Sequence, residues 1–497
     1  MSASQPTGMS AMETRAAILR GDFTVLETVQ AHLDQIEALN PQLNAFQSVQ
    51  RKVACEQAAT LDRDLAAGAI QPGPLFGVPV ALKANMCMEG QETNCGSLML
   101  KDYIAPYTAS FVERLVDAGA IPIGVTEMDE FAMGSSGENS AYECPRNPWD
   151  TSLSAGGSSS GAAVAVAAGL APIALGSDTG GSVRQPASFC GVFGLKPSYG
   201  RVSRYGLVAF GSSLDQVSPF ARTVGDLEVV LEAISGHDPL DSTSLPILPF
   251  EPERPAELQR LVGLRVGVLK EAFGEDVQEE VRLRCQEQLE TMKSMGAELV
   301  EVSLPHLSSA IPTYYVLATA EASSNLGRYD GSLFGKRAEG DGSLQGMFAA
   351  TREAGFGDEV KRRILLGTYV LSAGYYDAWY GKAQKVRTLL RREFEAAFEH
   401  VDVIASPTTP SAAFALGAKT DDALAMYLSD LFTVPANLAG LPALSIPAGL
   451  TGGDTGLPVG LQLIGPHLGE GRLLRMAAAL ESKIGPLCRT KVQGTKS

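Results

Sequence analysis

The chain has 497 residues, 45% of them hydrophobic and 19% charged, with a formal net charge of −16. That composition suits a globular protein with a large core, and the acidic balance argues against a chain that grips nucleic acid with clustered Lys and Arg of its own. The seven cysteines (Cys55, Cys87, Cys95, Cys144, Cys190, Cys285 and Cys488) are scattered and form no CxxC pair, which points to reduced thiols rather than a disulfide framework or a zinc site. For Cys87 and Cys95, which lie closest, ordinary packing stands against a metal or redox role.

In chain order, the N-terminal residues lack a basic stretch followed by an apolar core, so no signal peptide is expected. GDFTVLETVQAHLDQIEALNPQ predicts a helix opened by a Thr24/Glu27 capping box, carrying Val25, Val29, Leu33 and Ile36 on one face, and stopped at Asn40-Pro41. Its stripe either packs on its own domain or docks a partner. From residue 74 the pattern turns α/β: a strand in LFGVPVALK, a helix in TASFVERLVDAGA, a strand in IPIGVT, a small-residue helix in SSGAAVAVAAGLA and a buried strand in PIALGSD. This alternation favours a layered sheet with helices on both faces. ERPAELQRLVG is the best linker candidate. A strand (LRVGVLK), a long helix (EDVQEEVRLRCQEQLETMKSMG) and a strand (ELVEVSL) follow, then a mostly helical block over about 307–400 and strands in VDVIASP, ALSIPAG and VGLQLIG. The expectation is one domain over 1–497, with N-terminal helices over about 9–70, an α/β core over about 74–235 and a C-terminal tail at 489–497. The longest apolar stretch, Ala162–Leu175, contains Gly169 and Pro172 and is too short to span a bilayer, so the chain is expected to be soluble and cytoplasmic.

Residues 154–186, SAGGSSSGAAVAVAAGLAPIALGSDTGGSVRQP, hold two serine clusters and no histidine. GSSSG at Gly157–Gly161 formally matches a G-x-S-x-G nucleophile elbow centred on Ser159. That motif needs a preceding strand and a downstream acid and histidine; NPWDTSLSAG upstream reads as loop, and His32, His237, His306, His400 and His467 sit in no suggestive context. A phosphate loop would need the lysine of G-x-x-x-x-G-K-[ST], which is missing. On composition alone, a small-residue turn before a tightly packed helix is the simplest reading.

The wider set says more. Lys83 ending GVPVALK, GGSSSG at 156–161 and GSDTGGSVRQPASFCGVFGLKPSYG at 176–200 together resemble the amidase signature family. The resemblance implies an α/β fold with a large mixed twisted sheet sandwiched between helices. It implies a Ser–Ser–Lys triad in which Ser182 is the nucleophile, Ser158 the bridging serine and Lys83 the base. It also implies oxyanion N–H donors at Thr179, Gly180 and Gly181, and a cis peptide after Gly157. The residue types suit the chemistry: a serine hydroxyl needs a positioned base, and a lysine of ordinary pKa, about 10.4, serves only if burial disfavours its charged form. Asp178 and Arg184 are expected to brace the loop. Many relatives read Lys-Asp-Asn where this chain has Lys83-Ala84-Asn85, so a carboxylate beside the base is expected to be missing.

Further segments, among them YGRVSRYGLVAFGSSLDQVSPFARTV, VKRRILLGTYVLSAGYYDAWYGKAQKVR and AMYLSDLFTVPANLAGLPALSIPAG, resemble one branch of that family. These are the glutamine-hydrolysing A subunits of glutamyl-tRNA(Gln)/aspartyl-tRNA(Asn) amidotransferases, and the resemblance runs from about residue 10 to 485. It implies a glutaminase that passes ammonia to a tRNA-binding B subunit, with a small C subunit clamping the pair. ATP and Mg²⁺ would belong to the partner, with no cofactor or metal in this chain and tRNA contacted mainly through the partner. Arg363 would hold the glutamine carboxylate, Asp430 its ammonium, and Tyr314 would line the pocket. Without the resemblance, these three read as a helix-surface Arg, a capping or solvated Asp and a core Tyr. The alternatives are a free-standing amidase acting on another small amide and a non-catalytic scaffold.

Overall fold

The fold was obtained as a computed structural model, which describes residues 6–252, 261–452, 456–485 and 487. The N-terminal capping box forms: Thr24 Oγ1 accepts from the Glu27 N–H and the Glu27 carboxylate accepts from the Thr24 N–H, and the helix Val25–Leu43 follows. Val25, Val29, Leu33 and Ile36 are buried, so the stripe packs on the chain's own core. The expected stop at Asn40-Pro41 does not occur. Pro41 removes one N–H near the helix end, but the last turn still closes, with the Asn44 N–H donating to the Asn40 carbonyl at 2.7 Å and Asn44 capping at φ 50°.

The strands are β1 (Phe46–Val49), β2 (Pro79–Lys83), β3 (Ile121–Thr126), β4 (Arg146–Asn147), β5 (Asp150–Ser154), β6 (Ile173–Asp178) and β7 (Phe193–Lys196), then β8 (Gln216–Ala221), β9 (Arg265–Leu269), β10 (Glu298–Val302), β11 (Val403–Pro407), β12 (Ala443–Leu450) and β13 (Pro458–Ile464). Eleven of them make one sheet in the order β1-β3-β2-β6-β8-β7-β12-β13-β11-β9-β10, parallel at β3-β2-β6 and β11-β9-β10 and antiparallel elsewhere. β4 and β5 pair only with each other. This corrects the reading of NPWDTSLSAG as loop: Asp150–Ser154, polar and exposed over its first three residues, pairs with Arg146–Asn147 in a short hairpin with no apolar alternation to announce it. β1 and β7 have four residues each, too few for a period to register.

Both faces of the sheet are covered. Val80 and Leu82 belong to one core cluster and Ala81 between them to another; Ile173 and Leu175 alternate with Ala174 in the same way. Lys83 therefore shares the face of Ala81, toward the helix Ser160–Ala167, all of whose residues are buried. The block 307–400 contains the helices Ala310–Asn325, Leu344–Gly355, Asp358–Leu371 and Lys382–Phe398. Most of the candidate linker, residues 253–260, and the expected tail at 489–497 lie outside the described residues; strands from both sides of the linker share the one sheet. Among the described residues, no helix is long and apolar enough to cross a membrane, six cysteines are free thiols, and no group of three or more His, Cys, Asp or Glu is placed to hold a metal.

Candidate active site

Lys83 ends β2 and is fully buried. Its Nζ donates to Ser158 Oγ at 2.8 Å, Ser159 Oγ at 2.8 Å and Ser177 Oγ at 3.0 Å. Ser159 donates its own proton to the Ser177 carbonyl at 3.1 Å, and Ser177 Oγ also accepts from Asn85 Nδ2 at 3.0 Å. A neutral lysine has two N–H bonds and one lone pair. With Ser159 and Ser177 taking the N–H bonds, the lone pair falls to Ser158. Burial brings the Lys83 ammonium down to about 7, against the raising pull of Asp129, Asp178 and Asp215. Ser158 follows a cis peptide from Gly157. A Cβ on Gly157 would lie 2.0 Å from Asp129 Oδ2, so the turn admits only glycine there.

Ser182 follows β6 and the DTGG turn. It is 8% exposed, and its carbonyl accepts the Ser159 N–H at 3.1 Å, which ties the two serine clusters together. Among the described residues the Ser182 hydroxyl makes no hydrogen bond with Ser158. The turn is held from three sides. Thr179 Oγ1 donates to Asp215 at 2.6 Å, the Gly180 carbonyl accepts from Thr433 Oγ1 at 2.7 Å, and the Gly181 N–H donates to Asp178 Oδ1 at 3.0 Å. Gly181 has φ of +137°, and a Cβ there would meet Thr433 Oγ1 at 2.2 Å. Its N–H is thus engaged by a carboxylate. Of the three expected oxyanion donors, Thr179 and Gly180 are the ones whose N–H groups meet no acceptor among the described residues.

Asp178 and Arg184 brace this loop from below, both fully buried. Arg184 reaches Asp178 through Nε at 3.1 Å and Nη2 at 3.0 Å, Gln462 at 2.6 Å, the Thr433 carbonyl at 2.9 Å, and Asn437. Burial alone would raise the Asp178 carboxyl, but the Arg184 guanidinium holds it down to about 2.

Arg363, on the helix Asp358–Leu371, is buried rather than surface-exposed. Its guanidinium carbon stands 5.3 Å from the ring centre of Tyr315, 5.6 Å from that of Tyr427 and 5.7 Å from that of Phe210. Nε donates to Glu359 at 2.7 Å, and the two Nη groups meet no acceptor among the described residues. Asp430 is buried and accepts from Ser135 Oγ at 2.5 Å. Burial pushes its carboxyl up to about 7 against that hydrogen bond and the Arg363 charge, so it gains from a cation at its side. Tyr314 is buried too, packed edge-on to Tyr315, and a Cβ on Gly180 would meet its hydroxyl at 2.7 Å. Burial pushes its phenol up, so it stays neutral.

The predicted residues other than Arg363 thus lie along one chain of contacts: Lys83 to Ser158, Ser159 to Ser182, Gly180 to Tyr314, and Gly180 through Thr433 to Asp430; Arg363 stands beside it, against the ring of Tyr315 that packs on Tyr314. Residues 27–474 match the family model described as Amidase. The chain belongs to the amidase family. It is 54% identical to the A subunit of glutamyl-tRNA(Gln) amidotransferase from Synechococcus sp. (strain RCC307), over 93% of this chain and 94% of that one. It superposes on the A subunit of glutamyl-tRNA(Gln) amidotransferase from Thermotoga maritima with a TM-score of 0.77 at 39% identity, covering 99% of this chain and 98% of that one. The peptide amidase of Stenotrophomonas maltophilia matches with a TM-score of 0.80 at 31% identity, over 97% and 99% of the two chains. The expected large mixed sheet between helices is this amidase fold.

Sequence reasoning missed several amidase-site residues. Ser177 stood in the quoted GSDTGGS, one residue before Asp178, but nothing local marked it as a lysine ligand. Ser135 precedes Asp430 by 295 positions, and Tyr315 and Tyr427 come from helices other than that of Arg363, so only the tertiary fold assembles them; Glu359, four residues before Arg363 on one helix, was within reach of an i,i+4 reading.

Proposed function

We propose that this amidase is the glutamine-hydrolysing subunit of a tRNA-dependent amidotransferase, with Ser182 as nucleophile, Ser158 as relay and Lys83 as base. Glutamine enters with its α-carboxylate on the Arg363 Nη fork and its α-ammonium at Asp430, with Tyr314 along the pocket wall. Neutral Lys83 takes the Ser158 proton as Ser158 takes that of Ser182, and Ser182 Oγ bonds to the side-chain amide carbon. The oxyanion is met by the Thr179–Gly181 turn. The relay returns a proton to the leaving nitrogen, the C–N bond breaks, and ammonia departs, leaving a γ-glutamyl ester on Ser182. Water, deprotonated by the same relay, cleaves the ester to glutamate.

The observation that carries this reading is the pairing, in one buried site, of an uncommitted guanidinium fork with a carboxylate in need of a cation. That pair suits an amide bearing both a carboxylate and an ammonium, whereas a small neutral amide would leave the Arg363 Nη fork and the charge of Asp430 without a partner from the substrate. The 54% identity to an amidotransferase A subunit, against 31% to a peptide amidase, favours the same choice over a free-standing amidase. In this reading the ammonia passes to a tRNA-binding B subunit that converts Glu-tRNA(Gln), Asp-tRNA(Asn) or both with ATP and Mg²⁺, and a small C subunit clamps the pair; this chain itself holds no cofactor. Reconstitution with the partner subunits tests it. Ser182→Ala abolishes glutamine-dependent amidation while free ammonia still supports it. Retained glutaminase activity, or loss of the ammonia-dependent reaction as well, contradicts the reading.

A further inference from the structure

The missing Lys-Asp-Asn carboxylate raises the question of what compensates Lys83. Three carboxylates act on it: Asp129, Asp178 and Asp215, with the Cys95 thiol beside them. Asp178 is consumed by its ion pair with Arg184. Asp215 accepts from Thr179 Oγ1 and from the N–H groups of Phe210 and Gly211 and so holds the nucleophile turn. Asp129 differs from Asp178 in having no ion pair among the described residues, as Asp215 also has none, and from Asp215 in binding the turn of Ser158 rather than that of Ser182. It is fully buried three residues beyond β3. Its carboxylate accepts only main-chain N–H groups, from Gly137 at 3.1 Å and Asn139 at 2.9 Å, and its own N–H donates to the Ser158 carbonyl at 3.2 Å.

These contacts place Asp129 at a junction. By binding Gly137 and Asn139 it closes the loop that follows it, and that loop carries Ser135, the donor to Asp430. Its Oδ2 occupies the space that a Cβ on Gly157 would need. Its main chain holds the carbonyl of the relay serine.

We propose that Asp129 is a positioning residue of this site, fixing the Gly157–Ser158 turn that Lys83 binds and adding an unpaired buried negative charge behind that turn. The proposal rests on the reading of Lys83, Ser158 and Ser182 as the catalytic set. Burial pushes the Asp129 carboxyl up to about 6, below the value of about 7 for Lys83, so Asp129 is mostly an anion at the midpoint of the Lys83 titration. Removing that anion makes the Lys83 ammonium harder to keep and lowers its pKa further.

The test uses the assembled complex and two readouts: glutamine kcat/KM, and the rate at which a fluorophosphonate labels Ser182, each against pH. Asp129→Asn keeps the shape and loses the charge. The expected result is an acid limb displaced to lower pH by about one unit in both profiles, with the plateau reduced about tenfold by the loosened turn. An acid limb at the wild-type pH overturns the proposal whatever happens to the plateau, because a purely structural role lowers the plateau alone. Should D129N fail to fold, Asp129→Ser, smaller and uncharged, is read the same way. Ser182→Ala is the control: continued labelling and hydrolysis in S182A would sink the triad reading itself, whereas a silent S182A with an unmoved D129N limb sinks only the role of Asp129.

Discussion

Lys83 Nζ meets Ser158 Oγ at 2.8 Å although 75 positions separate them in the chain. The contact joins the end of a central strand to the turn that opens a buried small-residue helix, and it fixes the pH dependence of the chemistry. Below about pH 7 the buried Lys83 carries a proton and has no lone pair; above it the lone pair is free. Glutamine kcat/KM is therefore expected to rise with pH through about 7. Lys83→Arg, which cannot lose its proton, is expected to cost at least about a thousandfold at every pH. Steady-state profiles of both proteins check this, and an arginine variant with an ordinary acid limb would exclude Lys83 as the base.

Arg363 holds its charge among three aromatic rings with its Nη fork uncommitted. Arg363→Lys is expected to raise the KM for glutamine about ten- to a hundredfold, because an ammonium cannot form two parallel bonds to a carboxylate, while kcat changes far less. An unchanged KM would remove Arg363 from the pocket.

Asp430 is expected to discriminate on the ammonium. With Asp430→Asn, kcat/KM for glutamine falls about tenfold or more, whereas hydrolysis of the analogue lacking the α-amino group is hardly affected. Equal losses on both amides would mean that Asp430 acts on the loop and not on the substrate.

The Asp178–Arg184 pair is a stability prediction. Asp178→Asn leaves a fully buried guanidinium short of its counter-ion and is expected to cost about 3 kcal/mol or more, seen as a lower urea midpoint. A wild-type midpoint would show that Gln462, Asn437 and the Thr433 carbonyl satisfy Arg184 without the charge.

Much of this was legible in the chain itself. The capping box at Thr24, the α/β alternation from residue 74 and the two serine clusters are local patterns, and local patterns survive translation into structure. Pro41 was misleading because a proline near a helix end removes one hydrogen bond without forbidding the next turn. The β4–β5 hairpin escaped because polar exposed strands show no apolar period. Ser177, Ser135 and the aromatic cage of Arg363 escaped for a different reason: their roles exist only once distant segments meet, and no spacing along the chain encodes that meeting. Ala84 puts no carboxylate beside Lys83 in the chain, and the carboxylates that act on Lys83, Asp129, Asp178 and Asp215, come from distant segments that no local pattern announces.

Four serines, Ser158, Ser159, Ser177 and Ser182, crowd one buried site, and only the last is expected to become acylated. Rapid acid quenching of the complex with glutamine, followed by peptide mass analysis, tests it most directly. The expected result is a γ-glutamyl ester localised by fragmentation to Ser182, absent in Ser182→Ala. An ester on Ser158, Ser159 or Ser177 would contradict Ser182 as the nucleophile.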